Sequence, residues 1–283
     1  MPRLFDKITI AGVGLIGGSL ALAAREQGLV GEIVGLGRGE ANLRTARGRG
    51  IIDAYSLDPR EAARNADLLF LSVPVSAMAA VASACAPVLS TAAVVTDAGS
   101  VKGAVVSDVE AALAGSFPFV GAHPIAGGEQ AGAGAARADL FEGSPCILTP
   151  SRGTPPEAVR KIRALWEGVG MTVVEMDVDD HDALLARVSH LPHAIAFALV
   201  NALCRNEEIV TLSGQSLRDM TRIAASPAEV WSDIFVANRE RLKTALDEFS
   251  AAFETLRKAI DRGDRAALRE LIESARQAQA KLR

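Results

Sequence analysis

Apolar residues fall along this chain in two rhythms. From Lys7 to about Met176, short apolar runs of strand length alternate with stretches rich in Ala, Leu, Glu and Arg, as a parallel sheet covered by helices does. The runs Ile8–Ala11, Glu32–Leu36, Leu68–Val73, Val94–Asp97, Phe119–Ala122, Cys146–Thr149 and Thr172–Glu175 predict strands. Between them, Ser19–Glu26, Asn42–Arg49, Val75–Cys85, Val101–Leu113 and Pro156–Val169 predict helices, with Pro155-Pro156 suited to the last one's opening turn. After Met176 the strand signals stop. Helices are expected over Asp179–Arg205, near Leu217–Ile223, from Pro227 to about Ile260, and over Asp264–Leu282. The expected fold class is α/β, a doubly wound sheet over residues 1–176 followed by an all-helical domain over 177–283.

Within the long predicted helix, Leu242, Leu246, Phe249, Phe253, Leu256 and Ile260 recur at alternating spacings of four and three, a seam that wants another helix against it. That partner is either in the same domain or in a second copy of the chain. So small a helical domain buries long helices poorly alone, which favours a homodimer formed through it, a dimerisation domain.

Composition narrows the chemistry. With 283 residues and 49% hydrophobic content the chain has ample core. A net charge of −4 gives no general attraction to nucleic acid or anionic lipid, so neither is expected as a partner. No run of about 18 uncharged apolar residues and no leader-like start is found, which points to the cytoplasm. Three widely separated cysteines, Cys85, Cys146 and Cys204, suit free thiols better than disulfides or a metal site. No metal is expected.

The segment Gly12-Val13-Gly14-Leu15-Ile16-Gly17-Gly18-Ser19 follows the first strand and opens the first helix, the setting a dinucleotide-binding fingerprint requires. Gly12 permits the tight turn, Gly14 the approach to a pyrophosphate, and Gly17 close packing of helix on strand. The N–H groups at Leu15 and Ile16 face the anion. The N-terminal domain is thus expected to be Rossmann-type. Val73 and Pro74, closing the strand Leu68–Val73, complete the cofactor set. At the end of the second strand the chain reads Gly35-Leu36-Gly37-Arg38-Gly39, without the acid that would hold the ribose 2′-hydroxyl of NAD. Arg38 there suits a 2′-phosphate, so NADP is preferred, with Glu40 near enough to keep NAD possible.

Further polar clusters follow the later strands: Thr96-Asp97-Ala98-Gly99-Ser100-Val101-Lys102, Gly121-Ala122-His123-Pro124-Ile125-Ala126-Gly127-Gly128-Glu129, Ser189-His190-Leu191-Pro192-His193, Arg218-Asp219-Met220-Thr221-Arg222-Ile223-Ala224, and Trp231-Ser232-Asp233-Ile234. At these residues and the glycine loop the sequence resembles the prephenate/arogenate dehydrogenase family of tyrosine biosynthesis, from Ile8 to about Asn238 with motifs in the same order. The resemblance implies an oxidoreductase that decarboxylates prephenate oxidatively to 4-hydroxyphenylpyruvate, or in the alternative arogenate to tyrosine. It implies catalytic roles for His123 and Ser100, a substrate-binding role for Arg222, and a place for His193 in the substrate side-chain pocket. Glu129 and Trp231 resemble further pocket residues, and Asp219 one that holds an arginine. Gly128 departs from the pattern, since many relatives carry a small hydroxyl residue there. The chain ends soon after its last helix, which leaves no room for an appended regulatory or mutase domain.

The chemistry of the side chains agrees. Oxidising a ring alcohol with loss of carboxylate needs a base for the hydroxyl proton, a cation for a carboxylate and a nicotinamide to take hydride. His123 is the candidate base, Ser100 the hydroxyl that contacts the alcohol or orients the imidazole, and Arg222 the planar fork. His190 is expected to be structural or to act through a neighbour, and His181 to start a helix. A β-hydroxyacid dehydrogenase would need a lysine early in the helical domain, but the lysines there are Lys243, Lys258 and Lys281. A cofactor sensor would need no convergent His, Ser and Arg.

Overall fold

The computed structural model describes residues 3–128, 130–205 and 207–282. It comprises two compact units that divide after Asn238. The first contains one sheet of β1 (Phe5–Ala11), β2 (Val30–Leu36), β3 (Ala54–Ser56), β4 (Leu68–Leu71), β5 (Val94–Asp97), β6 (Phe119–Pro124), β7 (Pro145–Thr149) and β8 (Thr172–Glu175). Its spatial order is β3-β2-β1-β4-β5-β6-β7-β8. The strands from β3 to β6 pair in parallel, β7 runs antiparallel to β6, and β8 is parallel to β7. An order that reverses direction between β1 and β4 leaves a crevice at their carboxyl ends, where dinucleotides bind.

Three details depart from the sequence reading. β3 is absent from the predicted strands because three half-buried residues leave no alternation to detect. β7 breaks the expected all-parallel pattern. Between β6 and β7 the described residues form only the 3-10 turns Ala133–Ala135 and Ala138–Phe141, with no crossover helix to return the chain in parallel. β6 also runs two residues further than expected, so His123 is not in a loop but on the strand, paired with Ile147.

Alternation along each strand divides the core between the two faces of the sheet. Leu68 and Phe70 join Ile8, Ile10 and Leu20 on one side, with Trp166 of the helix Pro156–Gly168 fully buried among them. Leu69 and Leu71 join Met78, Val105 and Val109 on the other.

The helix Val178–Leu203 is long and apolar enough to cross a bilayer by length and composition, although Asp179, Asp180, Asp182 and Arg187 punctuate it. Its middle turn, Ala186–His190, is π-helical. Pro192 explains the distortion: it offers no N–H to the preceding turn, and widening the helix relieves its ring from the carbonyl it would strike. The predicted helix from Pro227 to Ile260 is two helices, Ala228–Ala237 and Arg239–Asp261. Asn238 breaks it because its buried side-chain amide is committed elsewhere, donating to the Asp182 carbonyl at 2.9 Å and to His190 Nδ1 at 3.1 Å.

The second unit pairs Arg239–Asp261 with Arg265–Gln279 across a turn in which Gly263 has φ +60° and Asp264 accepts from the Ala267 N–H at 3.0 Å. Of the seam expected there, Leu246, Phe249, Phe253 and Ile260 remain exposed, at 36%, 36%, 57% and 59%.

Trp166 packs edge-on against Phe70 and Phe141, with ring centroids 5.9 and 5.4 Å away. Trp166→Ala is expected to cost about 3 kcal/mol, the low end for a buried Trp, because its buried indole N–H has no partner to lose. Denaturant titration checks this; an unchanged midpoint would remove Trp166 from the core's main supports.

Candidate active site

The glycine loop sits at the carboxyl end of β1. Gly12 has φ +95°, and a Cβ there would lie 2.4 Å from the Ser72 carbonyl oxygen; a Cβ at Gly17 would lie 2.3 Å from the Gly12 carbonyl oxygen. Both positions therefore exclude every other residue. A Cβ at Gly14 would meet nothing within 4 Å, so the space in front of it is open. The helix Leu15–Glu26 begins there with no side-chain cap, and its first helical backbone bond is donated by Gly18 to Gly14. The N–H groups of Leu15, Ile16 and Gly17 are thus left for a ligand, an arrangement that fits a pyrophosphate.

Gly12, Gly14, Arg38, Val73 and Pro74 line one cleft of about 760 Å³. Leu15 and Ile16 are half-buried beside it. Arg38 is exposed at its rim, and no carboxylate among the described residues pairs with it. Glu40 instead accepts from Arg44 at 2.9 Å and from the Tyr55 hydroxyl at 3.3 Å. The sequence reading missed Asn42, whose side chain donates to the Val13 carbonyl and accepts from the Ala133 N–H, both at 2.8 Å, tying the glycine loop to the segment after β6.

His123 is 8% exposed, and its Nδ1 lies 2.9 Å from His181 Nε2. His181 Nδ1 in turn lies 2.8 Å from Asp182 Oδ1. Asp182 also accepts from the Lys102 and Gly103 N–H groups at 2.8 Å each. Burial opposes the charged Asp182 carboxylate, but bonds from His181, Lys102 and Gly103 outweigh it and hold its pKa below the ordinary value. An ionised carboxylate only accepts, so His181 Nδ1 donates to it. Since His181 donates from Nδ1, its Nε2 is the acceptor that matches the Nδ1–H of His123, an arrangement that leaves the lone pair of His123 on Nε2. Burial, then the Lys102 ammonium, then His181 and His190 hold the His123 pKa well below its usual range, so the imidazole is a neutral base.

His181 therefore orients the imidazole, which the sequence reading gave to Ser100 as one alternative and to which it assigned His181 no part. The half-buried Ser100 hydroxyl has no hydrogen-bond partner among the described residues. Behind this pair lies a fully buried ion pair: Lys102 Nζ contacts Asp97 Oδ2 and donates to the Ala122 carbonyl at 2.8 Å. Asp97 and Lys102 lie inside the quoted motif, and Asp182 directly follows His181; only their tertiary convergence gives them a role.

On the helix Val178–Leu203, His193 donates from Nδ1 to the Ser189 carbonyl at 2.9 Å and stacks on Trp231 at 3.5 Å between centroids. Burial lowers its pKa, the Ser189 bond works upward, and nearby Arg222 adds to the lowering. Arg222 is exposed on the 3-10 turn Arg222–Ala225. Asp219 accepts from Gln215 Nε2 at 2.7 Å and pairs with no arginine among the described residues, contrary to expectation. The i,i+4 geometry of a short helical turn brings Gln215 to it first. Glu129 lies outside the described residues. A Cβ on Gly128 would sit 3.3 Å from Leu15 Cδ2, so a larger residue would press on the cofactor helix's first side chain.

The family model described as "Prephenate dehydrogenase, nucleotide-binding domain" matches residues 20–175, and "Prephenate dehydrogenase, dimerization domain" matches residues 177–274. The chain belongs to the prephenate dehydrogenase family. It is 37% identical to the cyclohexadienyl dehydrogenase of Zymomonas mobilis, over 99% of this chain and 97% of that one. The crystal structure of prephenate dehydrogenase from A. aeolicus with hydroxyphenyl propionate and NAD+ superposes with a TM-score of 0.92, at 35% identity and covering 98% of both chains. That of Synechocystis arogenate dehydrogenase gives 0.82, at 28% identity, covering 98% of this chain and 100% of that one. The chain is thus a member of an oxidoreductase family with a nicotinamide cofactor, and the fit of the glycine loop to a dinucleotide agrees.

Two buried histidines make family-site stability depend on pH. Burial pushes the His190 pKa down to about 4, and Asp182 only partly offsets it. A base whose folded pKa is depressed is protonated first in the unfolded chain, so the stability it contributes is full above about pH 6.5 and is lost as pH falls toward 4. The loss expected across that window is about 3 kcal/mol from His190, with His123 adding in the same direction. Denaturant titrations at several pH values check it; a flat profile would mean that the histidines are not buried neutral.

Proposed function

We propose that the chain is a prephenate dehydrogenase, converting prephenate to 4-hydroxyphenylpyruvate and carbon dioxide. The observation that carries the reading is the His123–His181–Asp182 series, which leaves a neutral imidazole nitrogen as base in a fold that also offers a dinucleotide loop. A bound nicotinamide supplies the hydride acceptor. His123 Nε2 takes the proton of the ring hydroxyl as the carbinol C–H leaves with its electron pair. The bond to the ring carboxylate then breaks, its electrons aromatise the ring to a phenolate as carbon dioxide departs, and the phenolate takes back the proton held on His123. The positive charge arising on His123 stays on that ring and is stabilised by its Nδ1–H bond to His181, which Asp182 holds in place. Ser100, with its hydroxyl unengaged, contacts the substrate alcohol, and Arg222 holds a substrate carboxylate by a charge-assisted pair. His193 and Trp231, stacked together, form a wall of the side-chain pocket.

We assign the cofactor as NADP. Arg38 at the rim of the cleft supports a 2′-phosphate, and Glu40, already held by Arg44 and Tyr55, is poorly placed to serve a ribose hydroxyl. The functional boundary falls between residues 176 and 177, and the working form is a cytoplasmic homodimer built through the helical domain. The exposed seam of Leu246, Phe249, Phe253 and Ile260 supports the dimer. The apolar character of Val178–Leu203 suits a subunit contact rather than lipid, because Asp182 on it is tied to the sheet region. Three free cysteines, two of them buried, suit a reducing compartment.

Purified protein with prephenate or arogenate, each with NAD or NADP, is expected to produce reduced nicotinamide with the prephenate and NADP pair. Silence with prephenate in a folded sample would sink the assignment. His123→Ala should lower kcat by about a hundredfold or more with a small change in KM. Arg38→Ala should raise the KM for NADP by at least about tenfold, in line with a lost charge-assisted contact, and leave NAD nearly unaffected. Equal effects on both cofactors would refute the 2′-phosphate role.

A further inference from the structure

The Asp97–Lys102 pair is expensive for a fold that does not need it. Both side chains are fully buried, and a buried ion pair is often matched or bettered in stability by apolar residues of similar volume. Lys102 is also the N-cap residue of the helix Gly103–Leu113, the end at which a helix dipole disfavours a cation. Its side chain does not cap the helix; the Asp182 carboxylate does, from 80 residues away.

What the pair holds is the backbone around the reaction centre. Asp97 Oδ1 accepts from the Ala122 N–H at 2.9 Å while Lys102 Nζ donates to the Ala122 carbonyl at 2.8 Å, so both polar groups of the residue before His123 are clamped. Asp97 Oδ2 also accepts from the Gly99 N–H at 2.7 Å, which fixes the strand end leading to Ser100. The contacts then close on themselves. From the His123 ring they run through His181 and Asp182 to the Lys102 N–H, along the Lys102 side chain to the Ala122 carbonyl, and through one peptide bond back to His123.

We propose that Lys102, held by Asp97, is a positioning residue for His123: it closes a ring of hydrogen bonds that fixes the imidazole from both its backbone and its Nδ1 side, and it places a buried positive charge behind the base. The inference rests on His123 being the base of the proposed reaction. After burial, the Lys102 ammonium is the largest influence keeping His123 unprotonated. The groups acting on the imidazole are Lys102 at the start of the helix Gly103–Leu113 and His181 and His190 on the helix Val178–Leu203; Asp97 at the end of β5 pairs with Lys102, Asp182 with His181, and Cys146 on β7 lies against the His123 backbone. Of these only Lys102 brings a fixed positive charge.

The test is Lys102→Met, with Asp97→Asn/Lys102→Met as a neutral pair that leaves no buried carboxylate unmatched. Histidine side-chain NMR titration is read first, because the chain has only four histidines and the readout needs no substrate. The midpoint of His123 is expected to move up by about one unit in either folded variant, a tenfold change in proton affinity. The acid limb of kcat/KM should move with it, while cofactor affinity stays the same. An unmoved His123 midpoint in a folded variant, whatever the loss of rate or thermal stability, overturns the proposal, as does failure of both variants to fold, since the pair is then a folding element. A wild-type protein inactive on prephenate would sink the proposed function, yet the NMR midpoints would still decide the role of Lys102.

Discussion

The carboxylate of Asp182 joins the helix Val178–Leu203 to the helix Gly103–Leu113 that follows β5, and the candidate site depends on that junction. Its two oxygens take the first N–H groups of the helix Gly103–Leu113, satisfying donors that the helix cannot satisfy itself. One of them also takes the His181 ring. A negative charge at a helix N-terminus is favoured by the dipole, and this helps to keep the carboxylate ionised in a buried setting. Because it is ionised, the tautomers of His181 and then His123 follow. The orientation and the tautomer of the His123 imidazole therefore follow from one interaction. Asn238 reinforces it by binding the Asp182 carbonyl, at the cost of breaking what would otherwise be a continuous helix.

The sheet was legible because each strand is a short apolar run between turn residues, and β1 with Gly12, Gly14 and Gly17 carried its own chemistry. β3 was not legible, since three half-buried residues have no periodicity. Nor was the reversal of β7, because strand direction is set by the connection and not by the strand itself. Candidate residues could be named from the sequence where a motif is contiguous, as with Ser100, His123, His193 and Arg222. The candidate site was illegible where its meaning is tertiary. His181 reads as an ordinary polar residue in a helix's first turns, and only the fold shows it 2.9 Å from His123. Asp219 differs again: the role that the resemblance implies is to hold an arginine, and within the described residues its carboxylate accepts from Gln215.

The cofactor loop and the base are connected through side chains that do no chemistry. Asn42 spans from the glycine loop to Ala133, and Arg49 donates to the Ala133 and Ala136 carbonyls. Ser76, in the lining of the cofactor cleft, donates to Asp233 at 2.6 Å on the helix that carries Trp231. The segment after β6 and the helix Ala228–Ala237 are thus each tied to the cleft at the glycine loop.

The proposed reaction explains why the site is built from constraint more than from reactive groups. Aromatisation of the product supplies the driving force, so the protein needs chiefly to hold a neutral base and the reacting carbon in one arrangement. A solvated histidine near neutral pH would be protonated part of the time and free to rotate. Burying it removes both losses but leaves its N–H in need of a partner, which His181 supplies, and that ring in turn needs an acceptor, which Asp182 supplies. Each buried polar group thus calls for the next, until Lys102 returns the chain of contacts to the strand it started from.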